Sequence, residues 1–276
     1  MSGCIAVINA GSSSVKFALC EASNKAGALF RGQIEGIGVS PRLKVKDAQG
    51  ATFIERTWPA DGFNHDTATR EILTTARGLV SGTPVEGIGH RVVHGGMKFD
   101  APVRLDRDVL AALALLQPLA PLHQPHNLAP IRTIFDVAPH IPQVACFDTA
   151  FHRSQPSVTQ AFALPRRFTD AGIRRYGFHG LSYEYLVSRM RDLCPQIATG
   201  RILLAHLGNG ASLCAVKGGR SVASTMGFTA VDGLMMGTCR WLPESAPIWR
   251  PMPAGSLLPE LALVGRGASN GLLVLN

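Results

Sequence analysis

Apolar and polar residues near the start of the chain predict a β-hairpin with a turn of small residues. Two apolar runs, Ile5–Ile8 and Val15–Leu19, flank an insert of asparagine, alanine, glycine and three serines. The pattern returns in Ile202–Ser212, where an apolar run and a Gly/Asn/Ser turn precede a second apolar run at Leu213–Val216. Apolar runs separated by such residues are typical of strands joined by tight turns. Two such units in one chain indicate a duplicated architecture.

The remaining pattern alternates predicted strands with amphipathic helices. Residues 31–56 alternate short apolar and polar runs between glycines and prolines, as in an antiparallel meander. Further elements are expected as helix Asp66–Val80, strand Ile88–Val93, helices Asp106–Gln117 and near Asn127–Val137, strand Gln143–Phe147, and a helix ending near Cys194 with Ser182 as its N-cap. This succession predicts an α/β protein. We expect the domain boundary after the strand that ends at Phe147, giving domains over 1–150 and from 151 onward.

The two predicted turns carry residues that suit a phosphate. In the first, no bulky side chain covers the backbone N–H groups, and Ser12, Ser14 and Lys16 add hydroxyl donors and a point charge. In the second, Asn209 between two glycines lets backbone amides approach a ligand. A hairpin turn beside a solvated lysine is the competing interpretation of the first turn. Neither turn has the Walker A spacing, and we expect one turn from each half to face a shared cleft.

Composition argues against several classes of function. The longest apolar run, Val109–Leu116, is far shorter than the roughly 18 residues of a membrane span, and a basic secretory n-region is absent. Six cysteines without paired spacing predict reduced core residues of a cytoplasmic protein. The net charge of +8 is dispersed, which favours small anionic substrates over nucleic acid. The histidine pairs lack a cysteine or carboxylate that would complete a zinc site.

Six motifs resemble those of the acetate kinase family, in the family's order. The two signature motifs are V-I-N-A-G-S-S-S-V-K (Val7–Lys16) and G-H-R-V-V-H-G-G (Gly89–Gly96). The others are A-P-L-H (Ala120–His123), F-D-T-A-F-H (Phe147–His152), Y-G-F-H-G-L-S (Tyr176–Ser182) and H-L-G-N-G (His206–Gly210). The resemblance covers residues 4–238 almost continuously. It implies an actin-like (ribonuclease H-like) duplicated α/β fold, with the second domain incomplete.

The resemblance also implies roles for single residues. By themselves, Arg91 would more often be a surface ion-pair partner and Asp148 a cap of the next turn. In the family, the residue matching Arg91 holds the acyl substrate through a planar guanidinium, and the residue matching Val92 lies near the acyl pocket. The implied set is Asp148, Arg91, His123 and His179 as catalytic residues, Ser12, Ser14, Lys16, His206, Gly208, Asn209 and Gly210 at the nucleotide and phosphates, and Asn9 at the metal.

The implied reaction is reversible transfer of the γ-phosphoryl group of ATP to acetate, giving acetyl phosphate and ADP, with Mg²⁺ or Mn²⁺. Such a reaction needs charge neutralisation and in-line positioning. It needs no general base, because a carboxylate of pKa about 4 is ionised at pH 7. Propionate is an alternative substrate, since one methylene discriminates by only about 1–3 kcal/mol. Two further alternatives are a remnant that only binds ligands and a sugar kinase of actin-like fold, which the signature motifs disfavour.

The resemblance ends at Thr238. The family continues with arginine and an acidic, glycine-rich stretch, whereas this chain has Cys239 and then a tail rich in proline, with neither lysine nor aspartate. This change in composition predicts a shift of reading frame near codon 238 and a poorly ordered tail over 239–276, without packed elements. Domain two would then span only 151–238. The family homodimer forms largely through that domain, so we expect the dimer to be compromised here.

Overall fold

The computed structural model describes residues 3–23, 27–80 and 82–237, and the backbone of two strands nearer the C-terminus. The chain divides into two compact units between Phe147 and Asp148, just before the boundary expected at residue 150. Each unit has its own β-sheet with helices packed against it. Within the described residues, no helix combines the length and the apolarity that crossing a membrane requires.

Unit 1 is an eight-stranded mixed sheet with the strand order β5-β4-β3-β2-β1-β6-β8-β7. Its strands are β1 (Cys4–Ala10), β2 (Ser14–Glu21), β3 (Ala28–Glu35), β4 (Arg42–Asp47), β5 (Thr52–Thr57), β6 (Val85–Val92), β7 (Val103–Arg104) and β8 (Gln143–Phe147). Its helices are α1 (His65–Leu79), α2 (Arg107–Ala114) and α3 (Gln124–Val137), with a 3₁₀ turn at Gln117–Leu119. Strands β1 to β5 form antiparallel neighbours, which confirms the predicted hairpin and meander, and β1, β6 and β8 run parallel.

The core of unit 1 lies on one face of this sheet. Alternate residues of the strands, such as Ile8, Val15 and Leu43, are buried there, because successive side chains of a strand point to opposite faces. Helix α1 packs its apolar face, including Ile72, on this side. Asn64 caps the helix: its Oδ1 accepts hydrogen bonds from the backbone N–H groups of the first turn. The opposite face of β1 to β4 carries polar side chains such as Lys16 and Gln33 together with the exposed Val7.

Unit 2 contains a five-stranded sheet with the order β11-β10-β9-β13-β12. Its strands are β9 (Arg201–Leu207), β10 (Ala211–Lys217), β11 (Arg220–Ser224), β12 (Ala262–Val264) and β13 (Asn270–Leu275). Its helices are α4 (Ser157–Gln160), α5 (Arg166–Asp170), α6 (Gly180–Leu193) and α7 (Pro195–Ala198), with a 3₁₀ helix at Ala150–Ser154. A core of buried side chains from α6, α7, β9 and β10 holds the unit together.

The two sheets repeat one connection pattern. In unit 1, β1 pairs with the antiparallel β2 on one side and the parallel β6 on the other, and β3 follows β2. In unit 2, β9 pairs with the antiparallel β10 and the parallel β13, and β11 follows β10. Each β-turn-β unit inferred from the sequence therefore occupies the same position in its own sheet, which confirms the predicted duplication.

Several predicted element ends are wrong. Helix α6 begins at Gly180 with His179 at its N-cap, so Ser182 lies in the first turn and is not the cap. Helix α3 begins at Gln124, before the expected Asn127, because Pro125 fits the first helical turn. Helix α2 ends at Ala114, where a 3₁₀ turn containing a proline follows.

Most of the predicted tail, residues 239–276, lies outside the described residues. Within it the structure describes the backbone of β12 and β13, and β13 pairs with β9. The segment was expected to contain no packed element, yet the apolar run from Leu272 to Leu275 has the composition of a strand.

Candidate functional site

The turn between β1 and β2 in unit 1 is closed by a hydrogen bond of its own and is also bonded to helix α1. The Gly11 N–H donates to the Ser14 carbonyl across 2.8 Å, and the Ser12 side chain is exposed at the tip. The Gly11 carbonyl accepts a hydrogen bond of 2.7 Å from the His65 Nε2–H at the start of α1. That bond holds the Gly11 carbonyl against α1, and the exposed Ser12 hydroxyl is a donor of the kind that an anion-binding turn requires.

Asn127, buried in α3, ties the end of β1 to the end of β6. Its Nδ2 donates to the Ala10 carbonyl at 2.5 Å, and its Oδ1 accepts from the Val93 N–H at 2.8 Å. A single amide thus satisfies one acceptor and one donor of two different segments. The segments it joins carry the two signature motifs.

Three predicted residues lie together on the open face of the unit 1 sheet. The Arg91 Nη1–H donates to the Asn9 Oδ1 at 3.2 Å, and Asn9 is paired in register with Lys16 on β2. A guanidinium, an amide and an ammonium group therefore line one edge of the first turn. Val92 is fully buried on the other face of β6, so the structure does not bring it together with Arg91 as a wall of one pocket.

The predicted His123 occupies the N-cap position of α3 and is exposed. Its neighbour His126 lies close to His65, with ring centroids 4.7 Å apart. Burial lowers the pKa of His126, and the nearby His65 and His123 lower it further, because a second positive charge there is unfavourable. The histidine that supports the turn, His65, therefore belongs to a small histidine group.

The turn between β9 and β10 in unit 2 is equally tight. The Gly208 N–H donates to the Gly210 carbonyl at 3.0 Å, and the Asn209 carbonyl accepts from the Gly237 N–H at 3.0 Å. A Cβ on Gly210 would lie 3.1 Å from the His179 Nε2, so the imidazole packs closely against the turn and a side chain there would push it aside by a few tenths of an ångström.

His179 and His206 stack face to face, with ring centroids 4.0 Å apart. His179 has φ of 60°, a left-handed conformation that is strained for a residue with a side chain. Its Nδ1 is hydrogen-bonded to the Ser212 Oγ at 2.9 Å, and that hydroxyl also bonds the Tyr183 hydroxyl at 2.5 Å. The His206 Nδ1 bonds the Ser182 Oγ at 3.0 Å. Both imidazoles are thus fixed through Nδ1.

Asp148 follows β8 and is only 2% exposed. Its carbonyl accepts from the Gly180 N–H at 2.8 Å, and a Cβ on Gly180 would clash with that carbonyl. Beyond it, the buried His152 donates from Nε2 to the Phe178 carbonyl at 2.8 Å, and its Nδ1 bonds the Ser221 hydroxyl at 2.9 Å. Burial lowers the pKa of His152 to about 4, so the ring is neutral at pH 7. These bonds fix the loop that carries His179.

The structure brings the predicted residues together in two groups, each within its own unit. Unit 1 groups Asn9, Lys16 and Arg91 beside the first turn, and unit 2 groups the stacked histidines over the second turn. Sequence reasoning missed the supporting residues His65, Asn127 and Ser212. His65 and Asn127 lie far along the chain from the first turn, and only the tertiary fold reveals those contacts. Ser212 ends the second turn motif and could have been found there.

The donor groups fit an ion carried by phosphates better than one enclosed by protein. In the described part of the chain, no three His, Cys, Asp or Glu side chains are grouped so that they could hold a metal. Mg²⁺ commonly uses one or two protein carboxylates, with phosphate oxygens and water as its other ligands. Taken separately, unit 2 offers the carboxylate of Asp148, and in unit 1 the Asn9 Oδ1 keeps one lone pair beside its bond to Arg91.

Comparison with known proteins gives consistent matches. A model of the Acetokinase family matches residues 4–240. The acetate kinase of Methylocella silvestris is 51% identical over 247 residues, covering 86% of this chain and 61% of the relative. That of Deinococcus radiodurans is 42% identical over 234 residues, covering 84% of this chain and 58% of the relative. The chain therefore spans about three fifths of the length of the curated relatives it matches.

Solved structures agree. The Porphyromonas gingivalis acetate kinase is 35% identical with a TM-score of 0.74, over 86% of this chain and 60% of that one. A propionate kinase from Francisella tularensis is 36% identical with a TM-score of 0.77, over the same shares. Their α/β fold is the actin-like fold that the motifs implied, and the fold class is therefore confirmed. Since the family match spans most of the chain and carries both turns, the chain belongs to the acetokinase family.

Proposed function

We propose that the protein of this chain transfers the γ-phosphoryl group of ATP to acetate, reversibly, to give acetyl phosphate and ADP. A carboxylate oxygen of acetate forms the new bond to the γ-phosphorus while the bond from that phosphorus to the bridging oxygen breaks, and ADP leaves with the electron pair. No proton moves, because acetate is already ionised. The protein's part is to neutralise charge and to align the reactants.

The single observation that carries the proposal is the group of Arg91, Asn9 and Lys16 beside the first turn. A guanidinium offers two parallel N–H donors to a carboxylate or phosphoryl group, and the bond to Asn9 fixes its orientation. Lys16 adds a positive charge next to the exposed serines of the turn. Three oxyanion-binding groups on one face suit the carboxylate or the phosphoryl group of an acyl phosphate.

The residues of unit 2 suit the other reactant. In the second turn the Gly208 N–H is bonded to the Gly210 carbonyl, and the backbone N–H groups of Asn209 and Gly210 are our proposed donors for nucleotide phosphates, with His206 beside them. His179, oriented by the hydrogen bond between its Nδ1 and Ser212, lies beside this turn, where an imidazole stabilises charge that moves onto phosphoryl oxygens. His123 would contribute in the same way from unit 1. We propose Asp148 as the group that would hold Mg²⁺, or Mn²⁺, on the phosphates, where the ion would supply charge neutralisation. Asn9 is the metal donor that the family resemblance implies in unit 1.

The remaining proposals concern the setting of the reaction. All cysteines among the described residues are free thiols, which supports a cytoplasmic protein. We propose acetate, acetyl phosphate, ATP and ADP as its ligands, with neither nucleic acid nor a membrane as a partner. A homodimer like that implied by the family is the expected assembly, weakened in this chain, and light scattering across a range of concentrations tests it.

Turnover is tested most sensitively in the direction of ATP formation. The purified chain is incubated with acetyl phosphate, ADP and Mg²⁺, and ATP is detected by luciferase. We expect ATP to form, and Arg91→Ala to lower kcat/KM by about 10²-fold or more, because it removes an oriented charge from the transferring group. Arg104→Ala, at an exposed arginine on β7, is the matched control and should leave the rate unchanged.

Two results would redirect the proposal. A thermal shift with acetyl phosphate but no ATP would favour the alternative in which the chain binds ligand without turnover. A chain that shows neither binding nor turnover would contradict the proposed function.

A second substrate is favoured by one observation, the similarity to a structure described as a propionate kinase. Comparing kcat/KM for acetate and propionate decides between them, and a ratio near one indicates an acyl pocket that admits both.

A further inference from the structure

Two buried hydroxyl groups form a hydrogen-bonded chain behind the His179 imidazole in unit 2. The Tyr183 hydroxyl is hydrogen-bonded to the Ser212 Oγ at 2.5 Å, and the Ser212 Oγ is hydrogen-bonded to the His179 Nδ1 at 2.9 Å. Tyr183 belongs to helix α6 and Ser212 to strand β10, so two separate elements bring these groups to the imidazole. Both residues are 0% exposed, and bulk solvent therefore offers neither hydroxyl an alternative partner.

The direction of the first hydrogen bond follows from the proton of the Tyr183 hydroxyl. Burial raises the pKa of this hydroxyl, and hydrogen bonds with Ser212 and with the backbone of His206 offset the rise only in part, so the group keeps its proton near neutral pH. Among the described residues, the side-chain acceptor for that proton is the Ser212 Oγ. The Tyr183 hydroxyl therefore donates to Ser212.

The direction of the second hydrogen bond follows from the proton of the Ser212 hydroxyl. Its oxygen accepts from Tyr183, and its other side-chain partner in the described part of the chain is the His179 Nδ1. If the imidazole donated from Nδ1, the Ser212 proton would be buried without an acceptor, which is unfavourable. Donation from Ser212 to Nδ1 satisfies all three groups, and a neutral imidazole then carries its one proton on Nε2.

The Nε2 edge of the His179 ring faces the turn between β9 and β10. A Cβ on Gly210 would lie 3.1 Å from the Nε2 and 3.3 Å from the Cε1 of that ring. The opposite support is the stack on His206, whose ring centroid lies 4.0 Å away. A proton on Nε2 makes this edge a hydrogen-bond donor, whereas a lone pair there would repel the oxygens of a phosphate.

We infer that Ser212 and Tyr183 are positioning residues, which hold His179 in the tautomer that carries its proton on Nε2 and donates to the transferring phosphoryl group. The second part of this inference rests on the proposed function, because that function supplies the phosphoryl group. The first part, the position of the proton, is independent of turnover. The rate can depend strongly on such a tautomer: in Ser-His-Asp proteases, a change that leaves the geometry intact but favours the wrong tautomer lowers kcat about 10⁴-fold.

The first test determines the tautomer by nuclear magnetic resonance. The full chain is labelled with ¹⁵N in its histidine rings, and long-range ¹H–¹⁵N correlation spectra are recorded at about pH 8, above the ordinary histidine pKa of about 6.5. Comparison with His179→Gln assigns the His179 signals. We expect the unaltered chain to carry a proton on Nε2 and none on Nδ1. Ser212→Ala should show a mixture of the two tautomers, because Nδ1 has lost its donor.

The second test measures ATP formation from acetyl phosphate and ADP. Ser212→Ala should lower kcat about tenfold or more with little change in KM, because the donor is no longer held toward the phosphoryl group. Tyr183→Phe should lower kcat less, since the Ser212 hydroxyl remains. The matched controls are Ser224→Ala, at a half-buried serine on β11 of the same sheet, and Tyr185→Phe, at an exposed tyrosine on α6, and both should retain kcat. Far-UV circular dichroism verifies folding.

Three outcomes would overturn the inference. The first is a proton on Nδ1, alone or together with one on Nε2, in the unaltered chain. The second is a Ser212→Ala variant with the tautomer and kcat of the unaltered chain. The third is an equal fall of kcat in Ser224→Ala, which would reflect a general loosening of the sheet. An unaltered chain that forms no ATP would instead contradict the proposed function, and the spectra would still decide where the proton lies.

Discussion

Replacing Asn127 by alanine should loosen the first turn and destabilise unit 1. The buried amide donates to the Ala10 carbonyl and accepts from the Val93 N–H. Alanine leaves both backbone groups buried without these partners. A buried polar group that loses its partner costs about 1–3 kcal/mol, so two such groups predict a loss of about 2–6 kcal/mol in the free energy of unfolding. A water in the vacated space would bring the loss to the lower end.

Urea unfolding followed by far-UV circular dichroism measures the loss. With a slope of about 3 kcal/mol per molar urea, the midpoint for unit 1 should fall by roughly 1–2 M. Hydrogen exchange of the peptide spanning the turn should become faster in the native state, since the carbonyl end of β1 is no longer held. Gln49→Ala, at an exposed amide between β4 and β5, is the control and should change neither quantity.

A midpoint shift below about 0.3 M, with exchange of the turn unchanged, would refute this reasoning, because it would mean that the two bonds contribute nothing net. Asn127→Asp provides a second check. Its carboxylate can still accept from the Val93 N–H, but it faces the Ala10 carbonyl with a negative charge. We therefore expect Asn127→Asp to be destabilised as well, and to recover part of its stability as acid protonates the carboxylate.

Three further results are expected. Gly180→Ala should lower the melting temperature and abolish ATP formation, because the new Cβ clashes with the Asp148 backbone carbonyl. Gly78→Ala in α1 is the control: its Cβ meets nothing within 4 Å, and it should stabilise the protein by up to about 1 kcal/mol. Differential scanning fluorimetry compares the two variants. The free energy of unfolding should be constant above about pH 6.5 and fall toward pH 4. In this range buried histidines such as His152, with a folded pKa of about 4, take up protons only on unfolding. Equal urea midpoints at pH 7 and pH 5 would contradict this. His65→Ala should raise KM for acetyl phosphate about tenfold with a smaller change in kcat, because the hydrogen bond from His65 to the Gly11 carbonyl of the turn is lost. His140→Ala, at an exposed histidine, is the control and should leave KM unchanged.

The sequence predicts those elements whose pattern is local. Short apolar runs in the sequence predict both strands of the first hairpin and the strand Gln143–Phe147, and the structure contains all three. Helix α1 also follows from spacing and from the polar residues before it. The ends of elements are less predictable, because small contributions compete there. Serine is a residue type that caps helices well, and Ser182 is therefore the expected N-cap. In the structure the helix begins earlier, at Gly180, with His179 at the N-cap in a left-handed backbone conformation. The Ser182 hydroxyl is instead hydrogen-bonded to His206.

The site is predictable only in part for a similar reason. Motifs identify residues that could contact a ligand, because the chemistry of a phosphate restricts which residue types serve. Residues that support them are restricted only by geometry, and His65 and Asn127 reach the first turn from helices that are distant in sequence. Val92 shows the same limit: its motif position predicts a residue near the acyl pocket, and strand alternation buries it on the face of β6 opposite Arg91.

Four histidines differ in burial, and the difference distinguishes those that stabilise the fold from those that are candidates for contact with a ligand. His90 and His152 are buried and neutral, with pKa values near 4, and each is hydrogen-bonded to groups within its unit. An imidazole held neutral at every pH from 5 upward cannot respond to a phosphoryl group by gaining a proton. His179 and His206 are only half-buried, and each is bonded through Nδ1. The stacked pair lies at the second turn, where a Cβ on Gly210 would meet the His179 ring, and this position makes the pair a better candidate for contact with a transferring phosphate than the more deeply buried histidines.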